Sequence, residues 1–137
     1  MRISISKACL GLALTCIAPA TVFAEQAYLC AINEVYECVA VTGCSRISLE
    51  DANLAGVMLI DVDKKQLSSA ALGEDPTTDA IDSATVTDDA ILLHGIGKKD
   101  TNRTWSAVIS LKSGNLSAGV STPDSSLALT GRCTAKL

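Results

Sequence analysis

Aromatic side chains are nearly missing from this chain, which holds one phenylalanine, one tryptophan and two tyrosines in 137 residues. That scarcity argues against base-stacking platforms and aromatic shelves for sugars, which need several planar faces on one surface. Histidine occurs once, at His94, and no Cys-x-x-Cys pair is present, so the usual zinc spacings are missing too. No Gly-x-Ser-x-Gly nucleophile elbow occurs. Basic residues are outnumbered, 11 Lys and Arg against 15 Asp and Glu, and Lys64-Lys65 and Lys98-Lys99 are their only adjacent pairs. Such a chain carries no electrostatic footprint for nucleic acid or an anionic membrane. Beyond residue 24 the longest apolar run is 54–60, which Asp61 ends. A bilayer span needs about 20 such residues.

What the chain does have begins with an export signal. Arg2 and Lys7 give a positive start, residues 8–18 carry no charge and are mostly apolar, and Pro19 breaks the run. Val22-Phe23-Ala24 then sets modest side chains three and one residues before a cut, so the layout predicts a signal peptide over 1–24 and a mature start at Glu25. Ala18-Pro19-Ala20 offers an alternative cut. Cys16 raises lipid attachment, but Ala13-Leu14-Thr15 is a poor lead-in, since a small residue is favoured just before a lipidated cysteine. Cleavage after Ala24 leaves residues 25–137, a single domain by length, with nine basic against fifteen acidic residues and a net charge of −6.

Cys9 and Cys16 leave with the signal, and Cys30, Cys38, Cys44 and Cys133 remain. Four cysteines in an exported chain read as two disulfides, because that compartment is oxidising. Free buried thiols or a zinc site are the weaker readings, the latter because His94 is the single histidine.

Hydrophobic periodicity is clearest near the C-terminus. In 103–111, Trp105, Ala107, Ile109 and Leu111 alternate with polar residues, the mark of a strand with one wet face. A turn follows at Lys112-Ser113-Gly114-Asn115, then alternation at Leu116, Ala118 and Val120, a turn at Pro123-Asp124-Ser125, and alternation again at Leu127, Leu129 and Cys133. Three amphipathic strands with short turns predict an antiparallel meander. Upstream, strands are predicted over 28–32, 35–41, 57–62, 66–70, 81–87 and 90–96, with 71–80 as loop. One short helix is expected at most, over 48–55, where Ser48 and Asp51 have capping-box spacing. The fold class is therefore all-β, a small antiparallel meander of about eight or nine strands closed or nearly closed into a barrel, with a two-sheet sandwich as the alternative. The small inward candidates suit a narrow, filled barrel.

No catalytic, cofactor-binding or metal-binding constellation emerges. Asp61-Val62-Asp63 sets two carboxylates at a strand end, but Lys64-Lys65-Gln66 lacks the oxygen ligands and glycine of a calcium loop, so a solvated turn is expected. The Asp75, Asp79 and Asp82 group has the same reading. His94-Gly95-Ile96-Gly97-Lys98-Lys99 is similar to a phosphate loop, yet Leu92 stands where a glycine is required, and the glycines read as a strand end and turn. A lone His94 without a nucleophile reads as structural. Asn102-Arg103-Thr104 and Asn115-Leu116-Ser117 match glycosylation triplets, which in a bacterial chain mean nothing.

Ala27-Tyr28-Leu29-Cys30 opens the mature domain and Thr130-Gly131-Arg132-Cys133 closes it. With a meander between, the chain resembles small exported bacterial β-barrel proteins, among them uncharacterised envelope proteins and, more distantly, the periplasmic inhibitors of C-type lysozyme, whose first and last strands are also tied by a cystine. Those inhibitors carry a Ser-Ala-Ser-Gly-like loop followed by an aromatic. Leu116-Ser117-Ala118-Gly119 departs from that pattern, so no inhibitory residue is carried over.

The strand order predicts the pairing Cys30–Cys133 and Cys38–Cys44, because closing a meander sets its first and last strands side by side and Gly43 can help a local bend. The expected function is that of a periplasmic or secreted non-catalytic binding or inhibitor module acting through its loops. The partner would be an envelope or extracellular protein; no cofactor, nucleic acid or membrane anchor is expected, and the module is expected to be monomeric. A structural or stress-related envelope protein without a discrete ligand site is the alternative.

Overall fold

The computed structural model describes residues 26–69, 77–97 and 102–135. The expected signal segment with its expected cut site, and Asp75, lie outside those residues. Among the described residues ten strands build one antiparallel sheet: β1 (Ala27–Val39), β2 (Gly43–Ile47), β3 (Val57–Asp61), β4 (Gln66–Ser69), β5 (Thr77–Ala80), β6 (Ser83–Val86), β7 (Ala90–Ile96), β8 (Thr104–Ser110), β9 (Asn115–Ser121) and β10 (Ser125–Ala135). No helix occurs among the described residues.

The alternating segments become strands for the expected reason. In β8, Ala107 and Ile109 are buried and Ser106 and Val108 exposed, so period two puts one set of side chains inside. β7 through β10 form the predicted meander, β10 lies beside β1, and β3, β4 and β5 continue on the other flank of β1. Across this sheet the inward rows run Leu93–Ala107–Ala118–Leu129–Val35 and Ile91–Ile109–Leu116–Gly131–Ile32. Most of these side chains are buried, and the Cys30–Cys133 cystine lies with them in the core.

The two ends of the sheet are successive pieces of one short segment. β5 pairs with β4 and β6 pairs with β7. Between them, the Ile81 N–H donates to the Lys65 carbonyl at 2.9 Å and the Asp82 N–H donates to the His94 carbonyl at 2.9 Å. The sheet thus curls into a nearly closed barrel, with β5 and β6 sharing one place in the ring, and it is not a two-sheet sandwich.

Several elements differ from expectation. The segments expected over 28–32 and 35–41 merge into one strand, β1, which ends at Val39 and absorbs Asn33 as a bulge between the Ile32–Gly131 and Glu34–Thr130 pairs. Gly131 permits it, since any Cβ there would strike the Ala31 carbonyl oxygen. β5 occupies residues expected as loop; its Thr-Thr-Asp-Ala sequence has weak strand character, and the pairing with β4 makes it a strand. β2 was likewise unmarked by periodicity.

The expected helix over 48–55 is a single turn capped at both ends. Asp51 donates its backbone N–H to the Ser48 hydroxyl at 3.0 Å, and the Ala52 N–H reaches the Ser48 carbonyl at 3.1 Å. Asn53, at φ 51°, then turns the chain so that Leu54 donates to the Leu49 carbonyl and Asn53 to the Glu50 carbonyl, a Schellman pattern that stops the helix at once.

Candidate functional site

β1 is 13 residues long, and on the flank away from β10 it pairs first with β3 through 27–31 and then with β2 through 35–39. The second stretch and β2 form a hairpin arm. Val39 opposes Gly43, leaving Ala40-Val41-Thr42 as the tip, and Cys38 is bonded to Cys44 directly across the two strands. Gly43 sits at φ 80°, the left-handed conformation that closes a three-residue hairpin loop and that a side chain would strain. Val41 is 94% exposed, and Val39 and Tyr36 are also exposed on the arm. An apolar residue lifted almost wholly into water gains nothing for the fold, which sets it apart from the exposed valines of the barrel wall.

Four of the described carboxylates, Glu34, Glu37, Glu50 and Asp51, lie on the arm or just beyond it, against the single guanidinium of Arg46. Arg46 reaches Glu34 at 3.5 Å, a surface pair of small energetic weight.

A second feature lies at the opposite end of the barrel. A half-open recess of about 320 Å³ is bordered by Tyr28, Ile109, Leu111, Ser113, Gly114 and Cys133. Gly114, at φ 72°, accepts a 2.7 Å hydrogen bond from the Cys133 N–H, and a Cβ on it would lie 2.5 Å from the Cys133 carbonyl oxygen. Among the described residues, no carboxylate or histidine borders the recess.

Of the carboxylates singled out in the sequence, Asp61 and Asp63 serve the turn after β3, where Asp61 is buried rather than solvated, and Asp79 lies in a strand rather than a loop. Asp61 is 8% exposed; its carboxylate accepts the Lys64 backbone N–H at 2.8 Å and pairs with the Lys64 ammonium at 2.9 Å. Asp63 accepts the Gln26 N–H at 2.8 Å and pins the start of β1. Asp79 stands in β5 opposite Leu67, while Asp82 is exposed at the crossing between β5 and β6. No group of three or more His, Cys, Asp or Glu with metal-holding geometry occurs among the described residues.

His94 is exposed on the outer face of β7, between Ser83 and Ser106 on the adjoining strands. Gly95 is buried within β7 rather than in a turn. Trp105 lies across it, so that a Cβ at Gly95 would come within 2.5 Å of the indole. Leu116-Ser117-Ala118-Gly119 is strand interior in β9, and Leu116 is buried. The glycosylation-type Asn102 and Asn115 are both exposed.

Val41 is the residue that reasoning from sequence misplaced, since it was read inside a strand over 35–41. The signal available was the five-residue spacing of Cys38 and Cys44, together with Gly43. Compared with known proteins, the chain matches no family model and no curated sequence.

Proposed function

We propose that this protein is an exported, non-catalytic binding or inhibitor module that engages an envelope or extracellular protein through the β1–β2 arm. Two disulfides in a small all-β fold are compatible with an oxidising compartment. The observation that carries the reading is Val41, 94% exposed at the tip of a cystine-braced hairpin. Bracing removes conformational freedom before a partner arrives, so less entropy is lost on association. An exposed apolar side chain on a rigid loop also gains free energy when a partner removes it from water. The barrel is then a scaffold, in keeping with the resemblance to small exported bacterial β-barrels.

Capture from periplasmic extract with disulfides intact tests it. The oxidised protein should retain one stoichiometric partner, and the Val41→Ser variant should lose it while melting at the same temperature as the parent. Capture of no partner by the parent protein would favour a structural envelope role and overturn the binding reading.

A further inference from the structure

β2 bonds to β1 along one edge and has no second strand partner among the described residues. In an antiparallel ladder alternate residues turn their N–H and C=O away from the partner, so the outer edge of β2 presents unpaired donors and acceptors. Gly43, Cys44, Ser45 and Arg46 are all exposed. β2 holds no proline and no lysine, two of the residues that commonly blunt such an edge. Its one charge, Arg46, is drawn back over β1 towards Glu34. The Cys38–Cys44 bond ties β2 to β1, so the edge is in place before a partner arrives.

Alternating donors and acceptors at strand spacing are matched as a set by another extended backbone. The electrostatics then select among extended chains. Glu34, Glu37, Glu50 and Asp51 against Arg46 give this region a local charge of −3, within a mature chain of −6. A second copy would bring the same negative arm, whereas a cationic segment is attracted and steered. We propose that the outer edge of β2 receives an extended, lysine- or arginine-rich segment of a partner protein as an added strand. This rests on the binding-module reading and states which backbone makes the contact.

The test uses the oxidised protein and three fluorescent octapeptides: alternating valine and lysine, the same sequence N-methylated throughout, and alternating valine and glutamate. Methylation removes every backbone amide N–H and keeps the lysine charges. The valine–lysine peptide should bind about tenfold tighter than either control, and it should slow amide exchange in β2 while leaving β6 unchanged. Equal binding of the methylated peptide would reduce the contact to charge alone and overturn the proposal. So would protection at β6 in place of β2, or a protein dimer that protects β2 without peptide. If no peptide binds while the Val41-dependent partner is still captured, the added strand is wrong and the binding module stands. If both fail, both readings fall.

Discussion

Val108 and Ile109 are chain neighbours in β8 with opposite surroundings, 44% and 1% exposed. Ile109→Asp would leave an unpaired carboxylate in the core, and the expected loss is more than about 4 kcal/mol, enough to unfold much of a domain whose whole stability is about 5–15 kcal/mol. Val108→Asp should change stability by no more than about 0.5 kcal/mol. Urea melts of the pair check the assignment, and similar losses at both positions would mean that the face of β8 is misread. Gly95 and Trp105 are a second informative pair, because the indole occupies the space a side chain at 95 would need. Gly95→Ala should cost about 1–3 kcal/mol alone, and much less in a Trp105→Ala background. A double-mutant cycle in which the two losses simply add would remove the contact from the account.

Elements were legible in the sequence to the degree that one face of each is buried. β7, β8, β9 and β10 announce themselves by alternation because water lies on one side and the core on the other. β2 has both faces exposed along most of its length, so no alternation marks it, and only Cys38, Cys44 and Gly43 hinted at a bend. β5 becomes a strand through β4 and not through propensity, while Ser48 caps a single turn that Asn53 ends before a helix forms. The arm was therefore half readable, its cystine from the short Cys38–Cys44 spacing with Gly43, and its exposed tip not at all. The two cystines should also separate chemically. Cys44 is exposed and Cys38 half-buried, whereas Cys30 and Cys133 are buried. Mild reductant under native conditions should open Cys38–Cys44 first, and alkylation mapped by mass spectrometry should find label on those two residues alone. Earlier label on Cys30 or Cys133 would contradict the burial.

At the scale of the whole molecule, the Cys30–Cys133 bond spans 103 residues of sequence and ties the first strand to the last. On the chain-entropy model, closing a loop of that size contributes about 4.7 kcal/mol, and the short Cys38–Cys44 closure about 2 kcal/mol. Replacing Cys30 and Cys133 by alanine should therefore lower stability by about 2–5 kcal/mol in denaturant melts, and an unchanged midpoint would show that the barrel holds itself. The placement of that bond has a mechanical consequence as well. Tyr28 and Ala135 face each other at one end of the β1–β10 ladder, so the two ends of the domain leave side by side. A pull on them bears almost at once on a covalent bond, and the chain between Cys30 and Cys133 stays slack. In single-molecule extension with handles at Tyr28 and Ala135, the oxidised protein should barely lengthen. The reduced protein should unzip β1 from β10 pair by pair at low force and release about 360 Å of chain, at some 3.5 Å per residue. The cystine makes the barrel a closed link in any tether that runs through its ends, one whose strength is that of a bond rather than of a fold.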